Sequence, residues 1–598
     1  MQEREGMCGP RRAACLQKGW YAVYPVDLIL ENARIYNSYF QRFFHGYLAV
    51  LEGRIFHVGL GEEGLEEFSA PARFDCGGRY LIPGLVDVHM HIESSMAAPL
   101  PFTDYLARCG VTTIVSEPHE IANVFGLEGI RAILDAAPDS AVEVLCGIPS
   151  SVPSTSAALE TTGGEIGLEE LKELLQDPRI ACLGEVMNTR GVLSEPACKP
   201  NVFTRYLRDR APALPLEGHC PRLKGVDLSR YLFTGIDSDH TEHDLEEVKH
   251  RYFKGMFFEL QQKMMLPEVV AFIVQNRLYG QTAFVTDDTM ADALVDRGHL
   301  NALAREAVRQ GMPLEQAVYC ASYTGARRMR LYDRGALAPG RLADMVLLSE
   351  RAEDFLPQRT YKAGRLVWDA AAPAPTRSRA GMFPPHFYRS VQLSPIGEEA
   401  FRVPAPQGAQ RVTVRAMGVS RLRTQTTEEH LSLPVRGGLV DWQGSGAALV
   451  CVFERHGRGG GVGRGFACGD LLQRGAVATT YAHDHHNLMA VGHSAADMAL
   501  AAERVRQLGG GMAVAEGGEI LAEIPLPVAG LMSEEPMEVI GSQLREVQLA
   551  LRRLGYRHYE PVMSLCTLSL PVSPALKITD KGLVDVAKGA VVPLFCEG

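Results

Sequence analysis

None of the thirteen cysteines, scattered from Cys8 to Cys596, stands in a C-x-x-C pair, and their number is odd. That spacing fits neither a disulfide framework nor a zinc ribbon, and a reducing cytoplasm is the expected compartment. Positive charge is not in surplus: 60 basic side chains face 71 acidic ones, a net charge of −11. An electrostatic grip on nucleic acid or on an anionic membrane is therefore not expected. No apolar run reaches the length that crosses a bilayer, which excludes a spanning helix. The first residues are basic in places (Arg11, Arg12, Lys18), but no apolar stretch precedes Tyr24, so no secretory signal is expected. There is no internal repeat of solenoid period. What remains is a soluble globular chain of 598 residues, 46% hydrophobic. That length suits about four domains, or about three if one is a large barrel.

Residues 1–25 show no periodicity and are expected to form an extension. Alternating short runs between Gly breaks, DLILENARIYN and GYLAVLEGRIFHVG, predict a small β-sheet over 26–81. GALAPGRLADMVLLSE and YKAGRLVWD, within 335–370, predict a second piece of sheet, and the two together a small sandwich-like β-domain. Between them, over 82–334, strand-like runs alternate with helical patterns. VTTIVSE, VEVLCGI, IACLGEV, YLFTGID and TAFVTD are the runs; LEELKELLQD and LPEVVAFIVQNR are examples of the helices. That alternation predicts an α/β fold with a parallel sheet, and its span of about 250 residues suits a (β/α)8 TIM-like barrel. An Ala- and Pro-rich stretch, 371–394, reads as a linker, and 395–598 as a mixed α/β domain.

The first chemical signal is Pro83-Gly-Leu-Val-Asp-Val-His-Met-His-Ile-Glu-Ser-Ser-Met96. On a strand, alternate side chains share a face, so Asp87, His89, His91 and Glu93 are expected on the inner side and Val86, Val88, Met90 and Ile92 outside. Two imidazoles near the C-terminal end of a barrel strand can bind one divalent metal. An H-x-H alone fits a polar strand with incidental histidines equally well. The other strand ends shift that balance. Glu185 ends IACLGEV, His219 follows LPLEG, His240 ends GIDSDH and Asp287 ends TAFVTD. One such residue is usually a polar cap; chance does not put ligand types at five strand ends.

With these residues in place the chain resembles the amidohydrolase superfamily and, within it, the bacterial adenine deaminases. Inside the barrel the matching segments are PGLVDVHMHIESSM, EPHEIANVFG, GEVMN, GHCPRLKG, SDH and TDD, with GALAPGRLADMVLL directly after it. Beyond it they continue in ERHGRGGGVGRGF, HDHHNL, LPLPVAGLMS and SLPVSPALKITDKGLVDV, so the likeness spans nearly everything after residue 25. The resemblance implies hydrolysis of free adenine to hypoxanthine and ammonia in purine salvage, by hydroxide generated on a two-metal centre. Manganese is the first expectation, iron or zinc the others, since mixed N/O ligands do not separate them. It also implies that His89 and His91 hold one ion, His219 and His240 the other, that Glu185 bridges, and that Asp287 binds the first ion and faces the nucleophilic water. Glu185 is itself an anionic oxygen donor, so no carboxylated lysine is needed.

The purine N1 must gain a proton, and Glu117, His119 and Glu120 are the candidates to supply it. His119 and Glu120 serve equally well as groups that orient the metal ligands, or as a simple loop cap. Ser94, Asp239 and Glu242 are further candidates for contacts to substrate or to the ligands. A homo-oligomer is implied by the resemblance alone.

Three departures from the family pattern stand out: Ser238-Asp239-His240-Thr241 with Glu242 one place late, Phe257–Lys263 where an Arg-Glu pair is usual, and His483-Asp484-His485-His486-Asn487. The last is either a further metal site reaching the barrel mouth or a hydrogen-bonded turn. The Gly-rich run 457–465 lacks the G-K-[ST] of a P-loop and reads as a hairpin loop. The H-x-E and P-C-x-x-C of the other zinc deaminases are absent. Two rivals remain: an amidohydrolase acting on a cyclic amide or a substituted purine such as an N6-alkyl adenine, and a purine- or metal-binding protein without turnover. The complete ligand set argues against the second.

Overall fold

The computed structural model describes residues 23–137, 140–372 and 381–596. The expected extension lies outside these residues except for 23–25, as do residues 373–380 of the expected linker. Among the described residues no helix is long and apolar enough to cross a membrane, and the cysteines are unpaired.

Eight parallel strands make the centre: Leu85–Met90 (β1), Val111–Ser116 (β2), Glu143–Ile148 (β3), Ile180–Val186 (β4), Leu216–Gly218 (β5), Ser238–Asp239 (β6), Phe257–Leu260 (β7) and Thr282–Phe284 (β8). β1 to β5 pair in order as one arc and β6 to β8 as another. Two contacts join the arcs. Met90 bridges Asp287 in parallel, with the Asp287 N–H donating to the His89 carbonyl at 3.1 Å. On the other side the Gly218 N–H donates to Ser238 Oγ at 3.1 Å. A Cβ on Gly218 would lie 2.2 Å from the Ser238 carbonyl oxygen, so only glycine lets β5 come this close. Helices such as His119–Asp135, Lys199–Arg210, Leu245–Phe253 and Pro267–Asn276 cross between the strands. This is the expected TIM-like arrangement.

Val86, Val88, Val115, Leu145, Ala181, Phe257, Ala283 and Val285 form one buried cluster drawn from six strands, which only the barrel interior can bring together. This corrects the expected faces of β1. The register of β1 on β2 shifts between Asp87 and Met90, so simple alternation fails there. Val86 and Val88 pack inside, while Asp87 turns to Thr286 Oγ1 at 2.6 Å and His299 Nε2 at 3.5 Å. Glu93 lies beyond the strand, in a 3-10 turn, and accepts from the Ile121 N–H at 3.2 Å.

Two strand assignments also change. Tyr231–Phe233 of the YLFTGID run end the helix Gly225–Phe233, which buries Leu228 and Tyr231 three positions apart, leaving Ser238–Asp239 as the strand. β7 has no polar alternation because all four of its residues are buried, Glu259 among them, so no strand is expected there from the pattern.

A sheet built from both flanks of the barrel places Leu28–Asn37, Arg42–Leu51, Arg54–Leu60 and Tyr80–Pro83 beside Met345–Leu348, Pro357–Lys362 and Arg365–Asp369. A nine-stranded sheet follows, from Arg411–Val419 to Glu519–Pro525, with the helix Ala495–Gln507 capped by Ser494 accepting from the Asp497 N–H. The helix Met537–Arg553 buries Met537, Ile540, Leu544, Val547 and Leu551, a helical stripe. Gly541 on that stripe brings its backbone against the barrel helix Ala291–Arg297. In the loop after β1 the Met96 carbonyl accepts from the Ser533 N–H and the Ala98 N–H donates to the Ser533 carbonyl, both at 2.8 Å, so the C-terminal part of the chain is anchored at the barrel mouth. Within the expected linker, Phe383 and Phe387 are buried, and Phe387 stacks on Phe125 at 4.0 Å.

Candidate metal centre at the barrel mouth

The strand ends bring the six candidate ligands together. His89 and His91 follow from β1; their rings stand edge to face, 5.2 Å apart. His91 Nε2 lies 3.6 Å from Glu185 Oε1 and 3.5 Å from Asp287 Oδ1. His89 Nε2 lies 3.7 Å from Asp287 Oδ1, and its ring stacks on His240 at 3.8 Å. Glu185 Oε2 meets His219 Nδ1 at 2.6 Å and His240 Nε2 at 3.2 Å. Gly184 makes room for this, since a Cβ there would lie 2.5 Å from the Glu117 side chain. His219 is 31% exposed and Asp287 13%, whereas His91 and His240 are at 1%, so access is from the His219 and Asp287 side.

Several spacings are too long for hydrogen bonds. Separations of 3.5–3.7 Å between His91, His89, Asp287 and Glu185 instead approach the edge of a tetrahedral shell at about 2.1 Å from an ion, about 3.4 Å. His89 Nε2 is buried with no hydrogen-bond partner. Both observations fit a divalent cation.

Electrostatics agree. Burial pushes the Glu185 and Asp287 carboxyls up, but the surrounding imidazoles outweigh it and hold both well below the usual range. Burial pushes His91 down, and Asp288, Asp287 and Glu185 override it, raising His91 well above its ordinary value. An anionic surplus that favours a proton on the His91 ring favours a cation in its place.

Around the centre, His91 Nδ1 meets the Glu117 carbonyl at 2.9 Å, which fixes the ring. Gln261 Nε2 donates to Asp287 Oδ2 at 2.9 Å, leaving Oδ1 toward the imidazoles. Glu259, fully buried and pushed up by burial, backs His240 Nδ1 at 3.7 Å.

His119 Nδ1 lies 3.3 Å from Glu117 Oε2. Burial lowers the His119 imidazole, but Glu117 and Asp484 raise it to about 10. Burial raises Glu117 and Glu120. Ser94 Oγ donates toward Asp288 Oδ1 at 2.5 Å and toward Glu120 Oε1 at 3.1 Å. Tyr481 of the C-terminal sheet reaches the same pair, 3.2 Å from Ser94 Oγ and 3.3 Å from Glu120 Oε1.

Asp239 and Glu242 stand apart. Glu242 is exposed. Asp239 is buried in an ion pair with Arg251 Nε at 2.5 Å and His243 Nε2 at 2.7 Å, with Thr241 Oγ1 at 2.8 Å. Burial raises its carboxyl, and His243 and Arg251 hold it well below the usual range. Replacing Arg251 with methionine strands this charge and is expected to cost about 3–5 kcal/mol. Asp239 stabilises the fold above the unfolded pKa of about 3.9, and that contribution is lost as pH falls through its lower folded value. Arg251→Met should therefore unfold at a higher pH in an acid titration followed by circular dichroism.

The turn 483–487 sends His483 and Asp484 to the mouth, while His485 and His486 are pinned elsewhere: the His456 ring meets the His485 carbonyl at 2.9 Å, and the buried Arg455 guanidinium donates to the His486 carbonyl. Asp288, Glu259 and Tyr481 do not stand out from sequence as site residues, and Asp484 does so only as part of the 483–487 run. Their signal was weak: Asp288 and Asp484 sit inside family-like segments, Glu259 in a segment that departs from the pattern, and Tyr481 carries none. In the Gly-rich loop, the N–H groups of His456, Arg458 and Gly460 converge on the Glu454 carboxylate at 2.5, 2.8 and 3.0 Å. The loop's anion cradle is filled by its own side chain, as a hairpin loop requires.

A parallel barrel with His, Glu and Asp donors at its strand ends defines an amidohydrolase-type protein, and residues 80–203 and 281–367 match the amidohydrolase family. Residues 423–590 match the adenine deaminase C-terminal domain. Adenine deaminase 2 of Shouchella clausii is 48% identical over 570 residues, 95% of this chain and 99% of that protein. Adenine deaminase of Clostridium perfringens is 44% identical over 573 residues, 95% and 100% respectively. The chain belongs to the adenine deaminase family. Among solved structures, the beta-aspartyl dipeptidase of Fervidobacterium islandicum AW-1 aligns over 60% of this chain and all of that one, with TM-score 0.45 and 16% identity. Membership of the amidohydrolases implies a divalent metal, and the clusters of His, Glu and Asp at the mouth are suited to hold it.

Proposed function

We propose that this protein is an adenine aminohydrolase, converting free adenine to hypoxanthine and ammonia. The reading rests on one observation: six metal-ligating side chains meet at one mouth in a chain that proteins named adenine deaminase match from end to end. His89, His91 and Asp287 would hold one ion and His219 and His240 a second, with Glu185 shared between them. Manganese is the first candidate, with iron or zinc next. Ions so held polarise water and lower its pKa toward neutrality.

The side chains do the rest. Asp287, kept ionised by its imidazole neighbours, accepts a proton from the attacking water at Oδ1 and returns it to the exocyclic amine as ammonia leaves. Water adds at C6 of the purine, and N1 gains a proton. His119, held protonated by Glu117 and Asp484, donates it and recovers a proton when the hydroxyl on C6 gives up its own as the carbonyl forms; Glu120, whose carboxyl burial pushes up, is the reserve donor. Tyr481 and Ser94 fix Glu120 and help exclude water. We place the enzyme in the cytoplasm, in purine salvage, as a homo-oligomer.

The test is direct. Metal-loaded protein incubated with adenine should release ammonia in step with the ultraviolet change from adenine to hypoxanthine. No release with metal bound overturns the reading, and faster release from an N6-alkyl adenine moves it to the substituted purine.

A further inference from the structure

A second group of donors closes the mouth from the C-terminal side. His119 Nε2 lies 3.9 Å from Asp484 Oδ1, and His483 Nδ1 lies 3.5 Å from that same oxygen. Glu120 Oε1 lies 3.5 Å from His483 Nδ1. All four residues are at most 4% exposed. Asp484 Oδ2, Glu120 Oε2 and His483 Nε2 are buried with no hydrogen-bond partner.

These spacings repeat those of the first centre. There, His91 and His89 stand 3.5–3.7 Å from their carboxylate partners; here the range is 3.5–3.9 Å. Elsewhere such buried pairs are joined by hydrogen bonds: His243 Nε2 meets Asp239 Oδ2 at 2.7 Å, and His299 Nε2, 3.5 Å from Asp87 Oδ2, shares Thr286 Oγ1 with it at 3.1 and 2.6 Å. Donors that gather without bonding one another leave room for a cation among them.

The group is also rigidly built. Ser569 Oγ holds the His483 carbonyl at 3.0 Å, Arg455 holds that of His486, and Asn487 Nδ2 donates to the Thr161 carbonyl at 2.9 Å. The turn is thus fixed between the barrel and the C-terminal sheet, with its two donors aimed at the mouth.

We propose a third divalent-cation site, formed by His119 Nε2, His483 Nδ1 and Asp484 Oδ1 with Glu120 beside them, separate from the ion pair at the strand ends. Its two-nitrogen, carboxylate donor set suits zinc best and manganese next. An ion here takes His119 and Glu120, the proton donors of the reaction proposed above. Occupancy therefore inhibits; this consequence, unlike the site itself, rests on that reading.

The test compares wild type with Asp484→Asn and His483→Gln. Each is dialysed against zinc chloride and its bound metal counted by mass spectrometry, with circular dichroism to check folding. Both variants are expected to hold one ion fewer per chain than wild type. An equal count overturns the site. Wild-type turnover should also fall at least about tenfold as zinc is raised past saturation of the catalytic pair, and a soaked wild-type crystal should show anomalous density between His119, His483 and Asp484. No such density overturns the site without reference to any variant. A lower count in the variants without zinc inhibition keeps the site and removes His119 and Glu120 from the proposed reaction.

Discussion

Exchange of Asp287 for asparagine is expected to lower kcat on adenine by about 10²–10⁴-fold, the range that one positioned proton-transfer group supplies. Asp287 is 13% exposed at the open side of the cluster, with one oxygen held by Gln261 and the other facing His89 and His91. Asparagine keeps the size and the Gln261 contact but cannot carry the proton between water and the leaving amine. His89, His91, Glu185, His219 and His240 remain, so at least one ion should stay bound. Loss of turnover with metal retained separates a proton-transfer role from a purely ligating one. Activity within a few-fold of wild type would refute the assignment.

Glu185→Ala should have the other large effect. Its carboxylate touches three imidazoles, Oε1 facing His91 and Oε2 facing His219 and His240. Removing it takes away the carboxylate that meets both His219 and His240, and leaves beside His240 only Asp287 and Glu259, the latter pushed up by burial. The variant is expected to lose at least one equivalent of metal and about 10³-fold or more in kcat/KM, since the ions are what activate water. Metal analysis of the purified variant reads the first effect and steady-state kinetics the second. Full metal content would show that Glu185 does not bridge.

Much of this was legible because a barrel strand points its last residues into the mouth. That rule found Glu185, His219, His240 and Asp287 without any knowledge of their partners. It misread β1, where a register shift moved His89 out of step with Asp87 and left Asp87 to Thr286 and His299. Asp239 looked like a ligand neighbour because it precedes His240. Its true partner is Arg251, on a helix whose inward face the sequence does not mark. Glu259 was hidden because a strand buried on both faces has no alternation to read.

The contributions of Tyr481, His483 and Asp484 were hardest to see. Tyr481 meets Glu120 across 361 positions of chain, and only the docking of the C-terminal sheet on the barrel brings them together. Local pattern carries no information about such a contact. The dense His-Asp-His-His run signalled polar chemistry, but whether it formed a turn or reached the mouth depended on that docking; it does both.

Whether His89, His91, Glu185, His219, His240 and Asp287 together hold the catalytic cations can be read by anomalous diffraction from crystals grown with manganese. Two peaks are expected, each within about 2.0–2.3 Å of donor atoms from these six residues, with Glu185 touching both. Peaks only elsewhere on the protein, or none at full manganese loading, would contradict that arrangement.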